Sequence, residues 1–152
     1  MHIDELPRGD AKKALEFPHF PTRLQAVIWR NWGLVPIERL AKALRATPLQ
    51  IEQLAAGMGL SRDDSLCHLW HERGYLTIIR RNWHLMPYEQ LLELLEWTPD
   101  ELAYVLKEDD FLWHKFGNMK PETAPVRRTS SSLGDSPFRR RLITSETVSG
   151  TR

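Results

Sequence analysis

A 51-residue internal repeat constrains this chain more than any other feature of its sequence. Residues 28–60 align with 79–111 without a gap, and 11 of those 33 positions are identical. The shared positions include Arg30/Arg81, Asn31/Asn82, Trp32/Trp83, Pro36/Pro87 and Thr47/Thr98. Two unrelated amphipathic helices do not produce one register that carries R-N-W-x-L-x-P-x-E and then Thr-Pro, so the unit is duplicated. A fold for this chain must therefore be one that a single unit of about 40 residues can form twice.

The periodicity within each copy predicts three helices. The first covers about 22–32 and 75–83, with Leu24, Val27, Ile28 and Ile78, Ile79 on one apolar stripe. The second starts at Pro36 or Pro87, because proline is tolerated where the first-turn N–H has no helical partner. It buries Ile37, Leu40, Ala41 and Leu44, or Tyr88, Leu91, Leu92 and Leu95. The third has the strongest start signal in the chain. Thr47 and Thr98 are each followed by Pro and, three residues on, by Gln50 or Glu101, which is a capping box. Glu108, Asp109 and Asp110 are expected to cap a further short helix over 111–116, closed by Gly117.

Two helices joined by a tight link, the second of them capped, resemble a helix-turn-helix. Many such motifs carry glycine in the turn, whereas this chain has Arg45 and Glu96. The expected architecture is all-α, two tandem trihelical helix-turn-helix-like units with a disordered C-terminal tail. Its divisions are an irregular lead-in over 1–21, repeat one over 22–60, a linker helix over 61–74, repeat two over 75–117 and a flexible tail over 118–152. Phe17 and Phe20 of the lead-in are expected to pack on repeat one.

A helix that reads the DNA major groove needs cations, since phosphate neutralisation supplies much of the affinity. From 47 to 59 the only charged residue is Glu52, and from 98 to 110 five acids face a single Lys107. Nucleic-acid binding is therefore disfavoured. It survives as the alternative reading, a regulator using repeat one, where Gln50 and Gln53 could contact adenine and Arg30, Arg39, Lys42 and Arg45 lie on neighbouring helices. The two copies are oppositely charged, +3 over 23–60 and −4 over 77–117, which favours association between the copies or with a protein partner.

Six tryptophans offer either packing or stacking surfaces. Trp32 and Trp83 recur at the end of an apolar helix and read as packing, while Trp29 and Trp113 read as the exposed pair and so as interaction candidates. Cys67, His68 and His71, near Asp63 and Asp64, make a weak metal pattern with no second ligand pair, and no metal or cofactor is expected. No Ser-His-acid order or glycine-rich phosphate loop appears, so no catalytic residue is assigned. A single cysteine excludes an internal disulfide. No run approaches the roughly 20 apolar residues of a membrane helix, and the first residues lack a basic segment followed by an apolar one, so a cytoplasmic location and no membrane partner are expected.

Beyond 117 apolar residues thin out and Ser, Thr and Arg dominate, including Arg139, Arg140 and Arg141, which makes disorder the expectation.

Three stretches carry a family resemblance: A-V-I-W-R-N-W-G-L-V-P (26–36), I-I-R-R-N-W-H-L-M-P-Y-E-Q-L-L-E-L-L-E-W-T (78–98) and K-E-D-D-F-L-W-H-K-F-G (107–117). They resemble the N-terminal region of large bacterial proteins that continue into a glycoside-hydrolase-like barrel, over about 18–125. The resemblance implies a tandem helical module whose downstream sequence would carry the carbohydrate chemistry. It also implies a charged helix after 128, from which this chain departs, so a truncated product or fragment is one expectation.

Overall fold

The computed structural model describes residues 1–109 and 111–129, whose regular elements are all helical, with no strand among the described residues. Eight α-helices follow one another: α1 (Arg23–Asn31), α2 (Ile37–Ala43), α3 (Pro48–Gly57), α4 (Cys67–Arg73), α5 (Tyr75–Asn82), α6 (Tyr88–Leu95), α7 (Pro99–Glu108) and α8 (Leu112–Lys115). A short 3-10 turn, Ile3–Glu5, precedes them. The starts of α6 and α7 lie 51 residues after those of α2 and α3, so the sequence repeat is also a structural one.

Local chemistry explains the boundaries. Thr47 Oγ1 accepts from the Gln50 N–H while Gln50 Oε1 accepts from the Thr47 N–H, and Thr98 and Glu101 repeat the exchange. Each pair satisfies two N–H groups that a helix start leaves without partners. Upstream, Thr22 caps α1 by accepting from the Gln25 N–H. The links into α3 and α7 turn through Arg45 (φ 53°) and Glu96 (φ 55°), left-handed positions occupied by residues with a Cβ.

The copies pack like on like, α1 against α5 and α2 against α6. Equivalent residues then share one core: Ile28 and Ile79, Leu40 and Leu91, Leu44 and Leu95, and Ile51 and Leu102 are all fully buried. Burying a side chain of this size contributes roughly 1.5–3 kcal/mol, so the joint core is the main reason that two short trihelical units are stable together.

The ends of the chain differ from expectation in three respects. Phe17 and Phe20 pack against the core as expected, but the lead-in is tied to the body beyond that: Leu6 is buried and the Tyr88 hydroxyl donates to the Pro7 carbonyl. Residues 118–129, expected to belong to the tail, also run along the body. Lys120 N–H donates to Arg8 O, Glu122 N–H to Lys12 O and Arg128 N–H to Leu44 O, while Lys120 and Val126 are buried. Gly9 sits at φ +62°, where an added Cβ would lie 1.9 Å from Asn118 O, so this approach of the two ends requires glycine. The rest of the expected tail, 130–152 with Arg139, Arg140 and Arg141, lies outside the described residues, as does Asp110. Finally, α8 has no side-chain cap; its N-cap is Phe111 in the left-handed region, and Asp109 instead accepts from the Tyr75 hydroxyl.

Candidate functional site

Two residue pairs of the repeat signature, Asn31 with Asn82 and Arg30 with Arg81, meet at the contact between the copies. Asn31 and Asn82 are fully buried, and Nδ2 of each donates to Oδ1 of the other at 2.7 Å. Each also donates one turn back along its own helix, to Val27 O or Ile78 O. Beside them Arg30 Nε donates to Arg81 O, and Arg81 Nη1 donates to Arg30 O, both at 2.9 Å. Contacts in which i meets j and j meets i define an isologous interface, here formed within one chain about an approximate two-fold axis.

The paired tryptophans hold the segments that leave each copy. Trp32 Nε1 donates to Ser61 O, and Trp83 Nε1 to Met119 O. Trp83 is the more buried of the two, stacked on Phe116 with ring centroids 4.3 Å apart and in edge contact with Tyr88 and Trp113. Trp113, expected to be exposed, is thus half-buried against the core, because α8 folds back onto α7 and Trp83. Trp29 is 46 % exposed, as expected of an interaction candidate, and leans on Phe20. Pro36 and Pro87 precede the first turns of α2 and α6 as N-caps without side-chain bonds.

The candidate base readers are unequal. Gln53 is exposed, whereas Gln50 is half-buried and its Oε1 is taken by the capping box. Two of the four cations counted toward nucleic acid are also engaged. Arg30 bonds Arg81, and Arg39 lies beside His71 Nδ1 at 3.1 Å and Glu96 at 3.5 Å.

Sequence reasoning missed three polar anchors, because each acts between segments distant in the chain. Lys120 Nζ is buried and donates to Trp83 O, Met86 O and Pro121 O, which places an ammonium on the link between α5 and α6, beside the C-cap carbonyl of α5. Burial brings its pKa down to about 8. Gln90 is fully buried, with Nε2 donating to Ala43 O and Val126 O, and Oε1 accepting from Val126 N–H. On the surface Arg62 joins Glu38, Glu52 and Asp64.

Cys67 is buried, and His71 is half-buried beside Arg39. Burial and then Asp64 push the Cys67 thiol up to about 11, and burial with the adjacent Arg39 lowers the pKa of His71. Among the described residues no three His, Cys, Asp or Glu side chains form a group that could hold a metal ion.

Several large apolar and aromatic side chains remain open on the surface. Leu49 (62 %), Tyr104 (66 %) and Phe111 (77 %) are the most prominent on or beside α3 and α7. On repeat two a shallow cleft of about 440 Å³ is lined by Tyr75, Trp97, Asp100, Glu101, Tyr104 and Val105. Tyr75 and Trp97 meet edge to face at 5.2 Å. The Tyr75 hydroxyl is held above its ordinary pKa by its bond to the Asp109 carboxylate, then by burial. A second groove, of about 710 Å³, lies between the lead-in, the start of α1 and residues 122–129. No helix among the described residues is long and apolar enough to cross a membrane.

No protein-family model, curated protein or solved structure matches this chain.

Proposed function

We propose that this chain is a non-catalytic interaction module, two helix-turn-helix-like units locked together so that their outer faces can dock a protein partner or a downstream domain. One observation carries the reading. Five of the polar side chains that the sequence singles out are spent on internal bonds, Asn31 with Asn82, Arg30 with Arg81, and Gln50 on the Thr47 cap, while large apolar side chains remain in solvent at Trp29, Leu49, Tyr104 and Phe111. Exposed aromatic and aliphatic groups of this kind fit docking better than chemistry. The resemblance to the N-terminal region of large bacterial glycoside-hydrolase-like proteins makes a carbohydrate-active domain a candidate for the docked partner. A cytoplasmic setting belongs to the same reading, and the lone buried thiol of Cys67 is compatible with it.

Photo-crosslinking side chains placed at Leu49 and at Tyr104 of the full chain in its native cell test the proposal. The expected result is one recurrent protein adduct. Adducts with nucleic acid instead would favour the regulator reading, and the absence of any adduct from both positions would contradict docking.

A further inference from the structure

The cleft on repeat two is a surface feature that the duplication does not explain. Its frame is shared, because α3 and α7 start from the same capping box and bury the same stripe. Its lining is not shared. The positions of Tyr75, Trp97, Asp100, Glu101 and Tyr104 are held in repeat one by Leu24, Ala46, Leu49, Gln50 and Gln53. Each replacement adds either an aromatic ring or a carboxylate, and no cation lines the cleft.

These additions agree with one ligand chemistry. Aromatic faces attract cations through the ring quadrupole, and carboxylates at the rim add direct attraction. Asp109, behind Tyr75, adds a further negative charge. In this structure a cation already sits at the rim, since the amino-terminal ammonium of Met1 lies 3.2 Å from Asp100 Oδ2. A free small molecule usually needs a pocket that encloses most of its surface. This cleft is shallow, so it suits a side chain presented by a larger chain.

We propose that the Tyr75–Trp97–Tyr104 cleft, with Asp100 and Glu101 at its rim, binds an arginine or lysine side chain from a basic segment of a partner protein. The proposal rests on the interaction-module reading and names the chemistry of its partner.

Calorimetric titration of the full chain tests it with three probes: the blocked peptide Ac-Gly-Arg-Lys-Arg-Gly-amide, its neutral counterpart with three glutamines, and cellobiose. Saturable binding of the basic peptide alone is expected. Tyr104→Ala should weaken it about threefold, the scale of one exposed cation–π contact. Glu101→Gln should weaken it by a similar factor, about threefold, while the helix stays capped, because Gln50 already fills that role in repeat one. Ala56→Ser, an exposed position on α3 of the other repeat, should have no effect. Equal binding of both peptides, binding of cellobiose, or indifference to Tyr104→Ala would overturn the proposal. So would a loss of Trp97 indole perturbation on replacing Arg139, Arg140 and Arg141 with alanine in the absence of peptide, which would make the chain's own segment the occupant. If no probe binds while crosslinks at Leu49 still capture a protein, the cationic site fails and the module reading stands.

Discussion

Asn31 and Asn82 satisfy each other across the centre of the molecule, each amide donating to the oxygen of the other and to a carbonyl of its own helix. A carboxamide carries both donor and acceptor, so it can pair with a copy of itself, which a carboxylate or an ammonium cannot. An approximate two-fold axis demands this self-complementarity from any residue that sits on it. The same residue therefore recurs at both positions, among the buried apolar side chains of α1 and α5.

The capping boxes predict matched stability losses. Thr47→Ala and Thr98→Ala should each lower the unfolding free energy by about 1 kcal/mol, read from denaturant midpoints. Loss at one site only would show that the two third helices are held by different means.

Arg45 and Glu96 occupy left-handed backbone that glycine adopts without penalty. Arg45→Gly should raise stability by about 0.5–1 kcal/mol, and Arg45→Val should lower it. A fall in thermal midpoint with glycine would contradict this account of the turn.

Gln90 should decide whether the segment after 118 stays on the body. In the wild-type chain the Val126 and Arg128 amides, which donate to Gln90 Oε1 and Leu44 O, should exchange slowly with deuterium. Gln90→Leu should release them to fast exchange and lower stability by about 1–3 kcal/mol, because a buried N–H and two carbonyls lose a partner. Fast exchange in the wild-type chain would refute the docking of this segment.

These predictions also mark what the sequence could disclose. Repeat register, third-helix caps and apolar stripes were legible because they are local or recur at one offset: Thr47 and Thr98 announce their helices within four residues. The partnership of Asn31 with Asn82 was visible as recurrence but not as contact, since an aligned pair need not touch. Lys120, Gln90 and Gly9 gave no signal, because each matters through a segment more than 30 residues away. Trp113 was misplaced for the same reason, its burial depending on how α8 folds back. The cleft lies in positions where the copies differ, such as Tyr104 against Gln53, so the shared signature carries no sign of it.

Lys120 predicts a pH dependence with a definite sign. Burial lowers its pKa to about 8, below the value near 10.5 of an unfolded lysine, so between these values the unfolded chain holds more protons. The contribution of this group to stability therefore rises with pH across that window. The difference in unfolding free energy between wild type and Lys120→Met should grow in favour of wild type by about 1–3 kcal/mol from pH 7 to pH 10.5. Subtracting the variant removes tyrosine titration, which acts in the opposite direction. A flat or falling difference would mean that the ammonium is not desolvated.

The most direct test of the central claim, that two copies of one unit are locked by a self-complementary contact, is a double-mutant cycle on Asn31→Ala and Asn82→Ala. Each single change leaves the other amide buried and short of a partner, at a cost of about 1–3 kcal/mol. The double change removes both groups, so its cost should fall short of the sum of the singles by about 0.5–3 kcal/mol, measured by denaturant unfolding. Strict additivity of the two losses would contradict the account.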